Sequence, residues 1–171
     1  MGRSGVTLAI FLVLAAWAGA QSPGAPVMTA AKRLELHRAN RTLFADLIDG
    51  GVKLAEAERT ADRAEACQRT ARALGIALGK AAEARDTDRV AELGEHLTAI
   101  VRDGLVPILD EGTRTIPATS PDAARLKAVR ATAANDLAGA RSAIPAAGAG
   151  ADGDRIRAVA GTLDGLREQL K

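Results

Sequence analysis

The sequence predicts an all-α protein, an antiparallel helical bundle of four long helices followed by a fifth helix at the C-terminus. Apolar residues recur in steps of three and four over long stretches, the repeat of a helix with one buried face. No segment sustains the period-two alternation of β-branched residues that marks a strand. The connections between the periodic stretches are short, which favours consecutive helices that reverse direction.

The 171-residue chain opens on a segment of a different kind. Arg3 precedes an uncharged apolar run at 6–17, and Ala18-Gly19-Ala20 puts small residues where a signal peptidase reads them. Residues 1–20 therefore read as a secretory signal peptide cut before Gln21, with an uncleaved anchor as the alternative. The run is shorter than the ~20 residues of a membrane span, and no later apolar run is long enough to cross a bilayer. No cysteine sits at the cleavage point to carry a lipid. Residues 21–28, with Pro23, Gly24 and Pro26, read as a disordered leader.

The first helix starts near Thr29 and carries Leu36, Leu43, Phe44, Leu47, Ile48, Val52 and Leu54. Gly50-Gly51 interrupts it, and glycine disfavours a helix interior by ~1 kcal/mol each. Ile48 to Val52 and Leu47 to Leu54 nevertheless stay in helical phase across the pair. The pattern predicts one helix to about Glu58, weakened or bent at the glycines, with a break there as the alternative.

The second helix spans 60–85. Thr60 is positioned to cap it, and Asp62 complements the dipole in its first turn. Its face is made of small residues: Cys67, Ala71, Gly75 and Gly79 form a single ridge in steps of four, which lets a second backbone come within ~8 Å. Gly75-x-x-x-Gly79 has the spacing of a membrane dimer motif, but Arg72, Lys80 and Glu83 place it in a water-facing bundle instead. The third helix has Asp86-Thr87-Asp88 as its cap. Its stripe is Val90, Leu93, Leu97, Ile100, Val101, Leu105 and Ile108. Pro107 inside that stripe predicts a kink, and Gly112 reads as the stop. Ser120-Pro121-Asp122 is a strong start signal for the fourth helix. Leu126, Val129, Ala133, Leu137, Ala140 and Ile144 form its stripe, and Pro145 ends it. The bundle thus covers 29–145. Residues 146–153 read as a glycine-alanine linker. The last, amphipathic helix, 154–171, places Ile156, Val159, Leu163, Leu166 and Leu170 at heptad spacing.

Composition narrows the function classes. The net charge is +2, and the aromatics are Phe11, Trp17 and Phe44, of which only Phe44 lies beyond the signal. Binding to phosphates needs a basic face and base stacking needs aromatic platforms, so nucleic acid is not an expected partner. Cys67 is the single cysteine, so no intramolecular disulfide forms; its place on the small-residue ridge marks it as a small buried hydrophobe.

Chemistry-bearing motifs are sparse. Glu92 and His96 stand four apart on one helix face and form the weak candidate for a metal. There is no Glu-x-x-His, His-Glu-x-x-His or Cys-x-x-Cys pattern to support them. Lys32, Arg33, Arg38 and Arg41 surround His37 and form the weak candidate for an anion, although such a run is more often a solvated helix face. The one methionine beyond the signal is Met28 in the leader, which leaves haem without a fitting ligand pair, and no cofactor is expected. No Gly-x-Ser-x-Gly elbow occurs, so no enzyme is expected. The remaining expectation is a periplasmic or secreted, non-catalytic protein that acts by protein–protein interaction or as a scaffold, its partner another protein or itself. The alternative is a periplasmic sensor or carrier of a metal ion or small anion.

Overall fold

Every described element is helical. The structure, a computed structural model, describes residues 29–145 and 150–171. The expected signal at 1–20, the leader at 21–28 and residues 146–149 of the expected linker lie outside it. The elements are α1 (Ala30–Glu56), α2 (Thr60–Glu83), α3 (Thr87–Ala99), a π-helical segment π1 (Ile100–Leu105), α4 (Val106–Thr115), α5 (Pro121–Ala143) and α6 (Ala151–Gln169). The chain divides into two compact units between Ala45 and Asp46, inside α1. In the first, residues 30–45 are helical, with Leu43 buried and Leu34, Arg38 and Arg41 exposed. The second holds the rest of α1 and every later helix.

α1 runs through Gly50-Gly51 without a break. The two glycines differ in use. A Cβ on Gly50 would collide with the Thr70 hydroxyl on α2, whereas Gly51 faces open space. Gly50 is therefore a close-approach residue between the 46–56 end of α1 and α2, and the turns on either side hold the helix across it.

The helix ends follow local chemistry. The Asp86 side chain caps α3 by accepting from the Arg89 N–H at 3.0 Å, and the Ser120 hydroxyl caps α5 by accepting from the Ala123 N–H at 3.2 Å. At α2 the expectation fails: the cap position is Arg59, one residue before Thr60, and no side chain satisfies the first turn. The turn between α2 and α3 closes with the Asp86 N–H donating to the Ala81 carbonyl and the Arg85 N–H to that of Ala82. Arg85 takes a left-handed φ of 57°, the place glycine usually fills in this motif. Ile144 is extended ahead of Pro145, as the residue before a proline prefers. The last helix begins at Ala151, so 151–153 are helix and not linker.

Pro107 acts one turn ahead of itself. Proline has no N–H to donate and crowds the carbonyl four residues back. The chain answers with π1, where the Val106 N–H reaches back five residues to the Val101 carbonyl. The helix therefore passes from α3 to α4 through a wider turn.

Packing in the second unit is that of two helix hairpins, one face on the other. α2 with α3–π1–α4 forms the first, and α5 with α6 the second. α2 packs most extensively on α5, and across the hairpins α3 lies on α6. Along α2 and α5 the contacts advance together: Glu65 meets Arg125, Gln68 meets Asp136, Gly75 faces Ala140 and Gly79 faces Ala143. Along α3 and α6, Asp88 meets Arg155 and Gly94 faces Val159. These two pairs run parallel. The expected antiparallel relation thus holds within each hairpin and not between them. Short connections reverse consecutive helices, but the small ridge of α2 decides which helix lies beside it.

Two more glycines mark tight crossings. A Cβ on Gly112 would run into Leu126 and lie 3.4 Å from Thr60 Cγ2, where α2, α4 and α5 converge. Gly112 is buried and helical, so it is a crossing residue and not the expected stop; the helix continues to Thr115. A Cβ on Gly94 would lie 2.6 Å from Val159 Cγ1, on a β-branched side chain with little rotamer freedom.

Gly94→Ala is expected to lower stability by about 1 kcal/mol net. Overpacking costs about 1–3 kcal/mol, against the ~1 kcal/mol that alanine gains over glycine in a helix. Gly161→Ala, which meets open space on α6, should raise it. Urea unfolding of the two variants checks both signs.

Candidate functional site

Three features of the second unit could carry chemistry: a polar pair in the interior, a buried thiol and an ion-pair cluster. Gln68 is the one polar residue in the described core. Its Nε2 donates to Asp136 Oδ2 at 2.6 Å, from α2 to α5. Beside this pair Ala71, Gly75, Leu97, Val101 and Ala133 line a cavity of about 10 Å³, which holds one water molecule at most. The small residues that let α2 and α5 approach leave this gap, and the Gln68 amide reaches across it. The arrangement is a part-buried hydrogen bond that links the two hairpins; it has no room for a substrate.

Cys67 stands next to Gln68. It is buried, and a Cβ on Gly104 of π1 would lie 3.6 Å from its Sγ. Burial pushes its pKa up to about 11, with Arg63 acting weakly the other way. The thiol is neutral near pH 7 and unreactive as a nucleophile or ligand.

Where α2 and α5 begin, Arg125 donates to Asp62 at 2.6 Å and to Glu65 at 2.9 Å, and lies 3.4 Å from Asp122. Arg59 donates to Asp122 as well. The hydrogen bond from Arg59 holds the Asp122 carboxyl below its ordinary range, and those that Arg125 donates to Asp62 and Glu65 raise its guanidinium further. The charges nearly match and the groups are half-exposed, so the cluster is a solvent-screened clasp between the first turns of two helices.

The residues singled out in the sequence fall apart from these features. Glu92 and His96 share a face of α3, but the Glu92 carboxylate accepts from Arg89 Nη1 at 2.6 Å, one turn back. Among the described residues, no group of three or more His, Cys, Asp or Glu side chains converges as a metal would require. Arg38 and Arg41 are exposed; the side chains of Lys32, Arg33 and His37 lie outside the described set. Sequence reasoning missed Gln68, although its signal was present: a polar residue between Cys67 and Ala71 on an otherwise small, apolar ridge.

What remains is a surface. Ile48 and Val52, one turn apart on α1, are 64% and 50% exposed. They lie two residues either side of Gly50, and so point away from the face that meets Thr70. Ile76 on α2 is also exposed. Among the described residues of α3 to α6, no large aliphatic is so open. No helix among the described residues is long and apolar enough to cross a membrane. Comparison with known proteins returns no matching family, no similar curated protein and no similar solved structure.

Two outcomes follow for the interior. The Cys67 thiol is neutral in the fold up to about pH 11, against an ordinary value of 9.0. The stability this contributes is complete below pH 9 and lost as pH rises toward 11, by on the order of 2–3 kcal/mol. Cys67→Ala should flatten that alkaline decline, read by urea midpoints at pH 8, 9.5 and 11. Asp136→Ala leaves the buried Gln68 amide without its acceptor and should cost about 1–3 kcal/mol. Gln68→Leu should cost less, because half-exposed Asp136 can turn to water; paired unfolding curves separate the two.

Proposed function

We propose that this is an exported, non-catalytic protein that works by protein–protein interaction, with the paired hairpins as a scaffold and the outer face of α1 as the contact surface. The observation that carries the reading is the exposure of Ile48 and Val52 on one face of the helix. Apart from Ile76 on α2, the large aliphatics of the other described helices are turned inward, as Val90, Leu93 and Leu97 of α3 or Ile156, Leu163 and Leu166 of α6 are. Adjacent aliphatics held in water on a formed helix suit a surface that a partner covers. Export rests on the residue pattern at 1–20, and places the protein in the periplasm or outside the cell.

A photoreactive amino acid placed at 48 or 52 in the native host tests the surface. The expected result is a discrete covalent product from each, and none from Ala131, an exposed position on α5. Equal yields from all three positions, or none from any, would end the reading. The mass of the recovered protein tests export: it should begin at Gln21.

A further inference from the structure

We propose that the outer face of the 46–56 end of α1 docks on the outer face of α2 in a second copy of this chain. This rests on the interaction reading above and names its occupant. Both faces lie inside the second compact unit, Asp46–Lys171.

The α1 face is acidic around an aliphatic centre. Asp49, Val52 and Glu56 follow one another in steps of three and four, and Ile48 stands one turn before Val52. All four are exposed.

The α2 face has the same build and the opposite sign. Arg69, Arg72, Ile76 and Lys80 follow in steps of three, four and four, and all are exposed. The one carboxylate along this stripe is Glu83, a turn past Lys80. Elsewhere in the unit arginines hold carboxylates: Arg59 holds Asp122, Arg141 holds Asp164 and Arg155 holds Asp88. Among the described residues, Arg69, Arg72 and Lys80 form no ion pair.

The occupant follows from the match. Val52 sits between Asp49 and Glu56, and Ile76 sits between Arg72 and Lys80, at nearly equal spacing. Laid along each other, the two aliphatics meet and each carboxylate reaches a cation, whichever way the helices run. An anionic bilayer or a nucleic acid would cover the basic face and leave the acidic one bare, whereas a second copy covers both. Each copy offers one face of each kind, so the contact closes as a two-fold pair or adds copies head to tail. Asp49 accepts from Lys53 at 2.5 Å within the chain, an exposed pair that an incoming cation can replace.

Sedimentation velocity of the purified protein, as processed by its host, tests the proposal from about 1 to 100 µM. The expected result is an average mass that rises with concentration and falls as salt rises. Asp49→Lys with Glu56→Lys should raise the dissociation constant at least about tenfold, and so should Arg72→Glu with Lys80→Glu. Mixing these two variants should restore association. The native basic face of the first then meets the native acidic face of the second, and the two reversed faces meet each other. Circular dichroism confirms that each variant is folded. A monomer at every concentration, association indifferent to the substitutions, or variants that stay apart on mixing overturns the proposal. The cross-linking test keeps the two readings apart. From position 52, a product at a multiple of the chain mass belongs to self-association; a product of another mass ends this proposal and leaves the interaction reading standing.

Discussion

The closeness of α2 to α5 is the constraint on which the rest of the structure depends. Gly75 and Gly79 present no side chain where Ala140 and Ala143 arrive, so the two backbones meet with methyl groups between them. Once α2 lies along α5 in the same direction, each hairpin can cover the other only if α3 also lies along α6, and Gly94 provides the space for Val159 there. A chain whose one aromatic beyond residue 20 is Phe44 fills its interior by this means: short side chains, short distances and many dispersion contacts. The core has little tolerance for bulk, and Gln68, the one buried polar residue among those described, pins the alignment between hairpins.

Most of the helix boundaries were legible in the residues. Asp86, Ser120-Pro121 and Pro145 act where their chemistry says they should, because capping depends on neighbours in the chain. The pairing of helices was not legible, since loop length constrains consecutive helices only. Glycine was the recurrent ambiguity. After an apolar stripe, Gly112 reads as a stop whether the chain ends there or another helix crosses there, and the arrival of Leu126 decides it. Gly50 gave the same trouble in reverse. Of the candidate site, the charges on α1 and their solvated face were legible, and the exposure of Ile48 and Val52, which read as part of the apolar stripe, was not. Glu92 and His96 share their face as expected, but the hold of Arg89 on Glu92 belongs to rotamers that spacing does not specify.

The interior and the surface divide the work. The paired hairpins contain a neutral thiol, a satisfied amide–carboxylate bond and space for one water, an arrangement suited to holding shape. The ion-pair cluster at Arg125 clasps the starts of α2 and α5 where solvent screens it. α1 carries three of the four exposed large aliphatics among the described residues, and its two halves carry opposite charge. A stable platform with an exposed helical face is a design in which binding can change with little consequence for folding.

The π turn lets a single rod answer to two neighbours. Leu97, Val101, Leu105 and Leu109 are spaced by fours, and each such step overshoots a 3.6-residue repeat by about 40°. In an unbroken α-helix the buried stripe would spiral away from its partners. A wider turn rotates less per residue and takes up the slip, so α3 keeps facing α6 while α4, beyond Pro107, faces α2 and α5. The proline thus works as a phase adjuster: the two ends of one helix can be aimed separately, and residues gained or lost at one end would not re-aim the other.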